Sequence, residues 1–322
     1  MIEINRKNTR IWSLLGMRRV LGMMLCELAS VDETFMFVTS DVGRYFGVDE
    51  FKNMYPDRYI DVGIAEQNMV NVAAGLQKEG MNVIAATYAT FITARTLDQI
   101  RVSMGYMKLP IILVGVGAGL AEGDLSATHM GLEDVAVMRT IPNIKIFEPA
   151  DGTELVNMLI NSRDHSSPMY IRLTGRTGTP MIYRSGYDFK LGLPNVLKIG
   201  TAKSAVFSAG VITDTVLKAT ELLEEKYGVS VEVVDFHSIK PLDGDFLDKY
   251  IDYNQIIVVE EHMITGGLGS AISEYFANRV NRPRITVLGV DDYYPNANDY
   301  EMLLSECGLS TEGIMDKIYD YL

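Results

Sequence analysis

One rhythm narrows the fold more than anything else in this chain: short apolar runs, rich in β-branched and aromatic residues, recur between longer stretches of helical period. The runs fall at residues 35–39, 59–62, 83–87, 111–116, 144–147 and 169–173. Strands alternating with helices at that spacing predict an α/β fold, a parallel sheet wrapped by helices. The rhythm stops at residues 181–195, where Gly186, Gly192 and Pro194 punctuate a stretch without periodicity, as an inter-domain linker would. It then restarts with runs at 204–207, 229–234, 255–259 and 285–288, separated by helical segments at 213–226 and 270–280. The chain therefore divides into a domain over residues 1–180, a linker over 181–195 and a smaller α/β domain over 196–322.

Before the first run, Trp12, Leu15, Val20 and Met23 are spaced for an amphipathic helix packed on the body. No apolar stretch there is long enough for a signal peptide or a membrane span. With 322 residues, 48% of them hydrophobic and 22% charged, each domain can bury its own core as soluble proteins do. A formal net charge of −13 argues against a nucleic-acid partner, which would demand clustered Lys and Arg. The two cysteines, Cys26 and Cys307, form neither a disulfide framework nor a metal-ligand pattern, and reduced thiols point to a cytoplasmic location.

The segment Asp61-Val-Gly-Ile-Ala-Glu-Gln-Asn-Met69 sets a carboxylate, Glu66, where an apolar strand gives way to a helix. Crevices at the carboxyl ends of parallel strands bind ligands. On those grounds alone Glu66 reads first as an acidic first-turn residue favoured by the helix dipole. The seven residues from 63 to 69, however, resemble the transketolase family, where this string carries an essential glutamate. The resemblance continues through residues 87–101, Ala127-Thr-His-Met-Gly-Leu-Glu-Asp134, Ile141-Pro-Asn143 and Pro149-Ala-Asp151. In the second half it includes Ser238-Ile-Lys-Pro-Leu-Asp243, Val258-Val-Glu-Glu-His262 and Gly266-Gly-Leu-Gly269, so it covers almost the whole chain.

That resemblance implies a pyrimidine-binding domain followed by the transketolase C-terminal domain, and transfer of a two-carbon ketol unit from a ketose donor to an aldose acceptor. The implied cofactor is thiamine diphosphate, whose thiazolium C2 becomes a nucleophile once its own aminopyrimidine, in the imino form, takes the proton. A carboxyl hydrogen-bonded to the pyrimidine N1′ drives that shift and must exchange a proton near neutral pH, which burial beside an aromatic ring assists. Glu66 matches that group. Tyr88 and Phe91, three residues apart and by spacing alone a core pair, match the aromatic pocket on which the pyrimidine stacks. Asp41 matches an acidic residue near the cationic ring, although it also suits a helix cap. His129 matches a residue beside cofactor and substrate oxygens, where imidazole can donate to a developing alkoxide. The other histidines, His165, His237 and His262, have no metal-ligand spacing and read as structural, with His262 alternatively at the edge of a subunit interface.

The family holds the diphosphate and its metal ion with Gly-Asp-Gly and a later Asn. Here the nearest strings are Gly123-Asp124-Leu125 and Asp243-Gly244-Asp245. A partner subunit carrying the diphosphate domain, with Mg2+ or Ca2+ as its ion, is therefore implied, in an α2β2 heterotetramer with two active sites. This chain contributes no metal ligand in that reading.

Some positions depart from the family. Gly117, in Val114-Gly-Val-Gly-Ala118, stands where a histidine contacts the donor sugar, and Leu125 stands where an aspartate recognises a sugar hydroxyl. Gly43-Arg44-Tyr45-Phe46 replaces a serine-rich stretch that includes a sugar-phosphate contact. Lost hydrogen bonds of this kind change which hydroxylated substrate is preferred, and they suggest a non-standard donor, a deoxy-sugar or a sulfonated ketose. Arg172, Arg176 and Arg44 could hold an anionic phosphate or sulfonate tail, or be ordinary surface charges. Rival readings are the β subunit of a 2-oxoacid dehydrogenase, whose motif runs Ser-Glu-Gln-Gly, a 1-deoxyxylulose-5-phosphate synthase, and a non-catalytic regulatory subunit.

Overall fold

A computed structural model describes residues 2–163, 166–175 and 178–322. The first half supplies strands β1 (Phe35–Thr39), β2 (Tyr59–Asp61), β3 (Asn82–Tyr88), β4 (Ile112–Ala118), β5 (Lys145–Phe147) and β6 (Met169–Thr174). The second supplies β7 (Asn195–Lys198), β8 (Ser204–Ser208), β9 (Glu232–Asp235), β10 (Ser238–Lys240), β11 (Gln255–Met263) and β12 (Arg284–Val290). They form a seven-stranded sheet ordered β10-β5-β6-β4-β3-β1-β2 and a five-stranded sheet ordered β12-β11-β8-β9-β7. All pairings are parallel except β10 with β5 and β7 with β9.

Strand pleating sorts the apolar residues of the first sheet between two cores. Phe35 and Phe37 of β1, Ile84 and Ala86 of β3, and Val114 and Val116 of β4 face the helices Arg6–Leu15, Met17–Val31 and Gly152–Ser162. Their neighbours Val38, Val83, Ala85 and Leu113 face the other way, into a cluster that continues through Phe207, Phe236 and Val258 of the second domain. The two domains thus share one apolar core.

Three expectations are corrected here. The N-terminal segment is two helices rather than one, because Gly16 sits between them at φ 76°, ψ 156°. The strands β7 and β10 had no counterpart in the sequence reading, since Asn195-Val-Leu-Lys198 and Ser238-Ile-Lys240 are too short and too polar to register as apolar runs. Because β10 pairs with β5, the second half also completes the edge of the first sheet. Within 181–195 no regular element precedes β7, yet Tyr183 and Phe189 are buried and Tyr183 stacks on Tyr187 at 4.0 Å. No helix among the described residues is long and apolar enough to cross a membrane.

The seam between the domains also carries polar contacts, and one buried arginine gathers several of them. Arg172 of β6 shares a strand face with Tyr170 and is completely buried. Its Nε donates to Asp134 Oδ2 at 2.9 Å and its Nη1 to Glu148 Oε1 at 2.7 Å. Its Nη2 donates to the carbonyls of Gly131 and Glu261, at 2.9 and 2.8 Å. A side chain sealed this way cannot meet a substrate anion, which corrects the expectation for Arg172; its role is to join the sheets. Replacing Arg172 by Met would strand two buried carboxylates, and breaking a buried ion pair costs about 3–5 kcal/mol. Urea unfolding of Arg172→Met at neutral pH is expected to show a loss of that size.

Candidate active site

The parallel strands of the first sheet end along one edge, and the residues singled out in the sequence gather there. Glu66 opens the Glu66–Lys78 helix, where an acidic side chain meets the positive end of the helix dipole, and it is 4% exposed. Its Oε2 accepts a hydrogen bond from Arg95 Nη1 at 2.9 Å; its Oε1 has no partner among the described residues. The Arg95 guanidinium also lies over the Phe91 ring, 4.1 Å from its centroid. Phe91 meets Tyr88, the last residue of β3, edge-on at 5.7 Å.

His129 packs edge-on against both rings, 5.3 Å from Tyr88 and 5.1 Å from Phe91. Glu66, Arg95, Phe91, Tyr88 and His129 are therefore one contiguous group of side chains. Desolvation, and then the Arg95 charge, hold the His129 imidazole below its usual range, so it is neutral at neutral pH. Thr128 Oγ1 lies 2.9 Å from His129 Nδ1 and gives its own proton to the Leu125 carbonyl. The hydroxyl must then accept from Nδ1–H, which assigns the lone pair to Nε2. Neutral His129 in this tautomer is a proton acceptor at Nε2, and donates there only once charged.

Asp41 lies next to this group, not within it. It is exposed, takes a left-handed backbone at φ 57°, and its N–H donates to Asp61 Oδ1. With Arg44, Tyr45, Lys52, Tyr59 and Asp61 it lines a cavity of about 460 Å³, joined to the aromatic group by Tyr45, whose ring is 5.7 Å from that of Tyr88. Arg44 is exposed on this cavity. Arg176 and His165 lie outside the described residues.

Gly117 has φ 64°, and a Cβ there would stand 2.7 Å from Glu122 Cγ. Glu122 fills that space and forms an ion pair with Arg18. Leu125 is 44% exposed. The sequence reading assigned no role to Arg95, Arg18 or Glu122. For Arg95 a signal existed, since it follows Phe91 by four residues, the spacing that puts two side chains on one helical face. For Arg18 and Glu122, 104 positions apart, there was none.

His262 is 1% exposed, its imidazole pushed down to about 4 by burial, which removes it from any subunit edge. His237 is buried with Glu154 and Asp235, their ligand atoms within 4.8 Å of one another, a donor set that could hold a metal. Tyr183 donates to Asp235 at 2.6 Å, and burial lifts the Glu154 carboxyl to about 8, so this group holds protons of its own at neutral pH. No hydrogen bond or ring contact among the described residues ties it to Glu66 or His129.

Comparison with known proteins bears on the family and the fold. Residues 14–178 match the family model of the transketolase pyrimidine binding domain, and residues 200–314 that of the transketolase C-terminal domain. The chain is 31% identical to a putative transketolase C-terminal section of Methanocaldococcus jannaschii, covering 95% of this chain and 96% of that protein. It is 33% identical to one subunit of the apulose-4-phosphate transketolase of Phocaeicola vulgatus, covering 96% of this chain and 98% of that one. A solved split-gene transketolase, described as an inactive β4 tetramer, superposes with a TM-score of 0.84 at 31% identity, covering 96% of this chain and 98% of that one. Of the 1-deoxy-D-xylulose-5-phosphate synthases that it also resembles, such as that of Carboxydothermus hydrogenoformans, it spans about half, 48% in that case.

The electrostatic link between Arg95 and His129 can be measured. Replacing Arg95 by Met removes the cation that disfavours a charged imidazole, so the His129 titration is expected to move upward. Histidine-labelled NMR, with His129→Asn to assign the signal, reads that shift; an unmoved titration would mean the two groups are not coupled.

Proposed function

The chain belongs to the transketolase family, with the pyrimidine-binding domain followed by the C-terminal domain, and from that footing we propose that it is one half of a two-subunit enzyme moving a two-carbon ketol unit from a ketose to an aldose. The observation that carries the proposal is Glu66, buried at a helix start and joined through Arg95 to Phe91, Tyr88 and His129.

These residues fit thiamine diphosphate, the cofactor that the family implies. Glu66 keeps Oε1 without a partner while Arg95 holds Oε2, so the carboxyl is oriented and still able to exchange a proton with a ring nitrogen. Tyr88 and Phe91 supply the apolar platform against which an aromatic ring packs. When bound, the cofactor supplies a nucleophilic carbanion at its thiazolium C2. His129 Nε2 can take a proton from a substrate hydroxyl and, once charged, return one to a developing alkoxide. Asp41, exposed two residues beyond β1, would set its carboxylate toward the cationic ring of that cofactor.

The diphosphate and its Mg2+ or Ca2+ are assigned to a separate partner chain, in an α2β2 assembly. Two things support this. The relatives named as a C-terminal section and as a transketolase subunit are spanned over 96% and 98% of their length. Around the site, Ile64, Tyr45 and Leu125 are 78%, 56% and 44% exposed, apolar surface suited to cover by another chain. The two free thiols, Cys26 and Cys307, suit a reducing cytoplasm.

For the donor we propose a ketose with an anionic tail held on the Arg44 and Lys52 side of the cavity, Arg176 being a further candidate on its sequence alone. The Phocaeicola vulgatus relative is named for a sugar phosphate, which favours phosphate over sulfonate. Gly117 and Leu125 provide no polar side chain to sugar hydroxyls, which suits a deoxygenated carbon chain.

The test is reconstitution with a Gly-Asp-Gly partner, thiamine diphosphate and Mg2+, assayed with phosphorylated, sulfonated and deoxy-ketose donors, and with pyruvate to expose a synthase or oxoacid dehydrogenase. Glu66→Ala is expected to lower ketol transfer by at least about 100-fold while gel filtration shows the assembly intact. Turnover near wild type in that variant would overturn the assignment.

A further inference from the structure

The segment that carries His129 belongs, by its packing, to the second domain. Leu120, Met130 and Leu132 are completely buried in the core of that domain, among Leu303, Leu304 and Ile314. The backbone between them is tied to the same domain along its length. Asn298 N–H donates to the Gly123 carbonyl at 3.2 Å, Ser126 Oγ to the Pro295 carbonyl at 3.2 Å, and Met263 N–H to the Leu132 carbonyl at 2.8 Å. At its start the segment turns against Glu261 of β11. Leu120 N–H donates to Glu261 Oε2 at 3.3 Å, and Gly119, at φ 68°, passes so close that a Cβ would lie 2.7 Å from that oxygen. The other oxygen of Glu261 accepts from Tyr300 OH at 2.5 Å.

We propose that Glu261 and Tyr300, on the second domain, are positioning residues for His129: through Leu120 they fix the loop that holds the imidazole against Tyr88 and Phe91. Neither residue touches the Glu66 group itself. Burial also lifts the Glu261 carboxyl to about 7, so its bonds to Tyr300 and Leu120 are formed in a site where an unmet partner is expensive. The kinetic consequence rests on the proposed ketol transfer; the placement of the imidazole does not.

Tyr300→Phe deletes one hydroxyl with little change in volume, and Glu261→Gln keeps one oxygen to accept from Leu120 N–H while its NH2 can donate to the Tyr300 oxygen. In the reconstituted enzyme, Tyr300→Phe is expected to lower kcat on the order of tenfold, as a displaced reacting group does, with the concentration of thiamine diphosphate giving half activity unchanged. Glu261→Gln is expected to retain most of kcat. In the full-length chain, labelled at histidine, the His129 titration of Tyr300→Phe is expected to rise toward the usual imidazole range as the loosened ring gains water. Ile318→Ala, which destabilises the same core away from the loop, serves as the control for plain loss of stability. The proposal is overturned if Tyr300→Phe keeps both the wild-type kcat and the wild-type titration, or if Ile318→Ala moves both readouts as far. Should the wild-type enzyme show no ketol transfer, the NMR comparison decides by itself.

Discussion

A guanidinium with no contact to water holds this molecule together. Removing such a charge from solvent is costly, and the cost is met only when every donor finds an acceptor. Arg172 meets that condition with groups from three places: Asp134 at the start of a short helix, Glu148 just after β5, and the main chain on either side of the domain seam. One nitrogen, Nη2, bonds both the Gly131 carbonyl, close behind His129, and the Glu261 carbonyl of β11. Parting the domains would take the Glu261 carbonyl from Nη2 and open a buried ion-pair cluster to water. The strand β10, which leaves the second half to pair with β5, adds a backbone constraint with the same effect.

This seam divides the candidate site by origin. Glu66 opens a helix, Tyr88 ends β3 and Phe91 lies on the short helix Ala89–Thr93 that follows, so their separation is fixed by regular elements. His129 stands on irregular chain whose conformation, including Ser126 at φ 56°, is set by contacts with the second domain. The carboxyl and the imidazole are thus placed by different parts of the protein, and the seam registers one against the other.

What the sequence made legible follows the same division. Period-two burial against period-3.6 helices is a local signal, and it located the long strands and the two-domain order. Glu66, Tyr88 and Phe91 were legible because they lie at strand ends inside continuous motifs. Arg172 was misread, although the run Met169-Tyr-Ile-Arg-Leu-Thr174 held the correction: a charge inside a strand covered on both faces must be buried and paired. Its partners, 24, 38 and 89 positions away, were beyond any local pattern. The strands β7 and β10 were missed because three or four residues hold too few alternations to exceed chance, and pairing across the fold makes them strands.

The pair Arg18 and Glu122 shows why Gly117 has to be read together with its neighbours. Where the sequence resemblance leads one to expect an imidazole, Gly117 adopts a left-handed backbone that any side chain would strain, and Glu122 occupies the volume that the side chain would need. Restoring a histidine would therefore demand removal of Glu122 as well. That second change would leave the guanidinium of Arg18, itself four-fifths buried, without its carboxylate beside Tyr88. The three positions are coupled by sterics on one side and by charge on the other. A point substitution at any one of them breaks a contact without making room for the alternative, so a side chain at position 117 has to be sought in the three together.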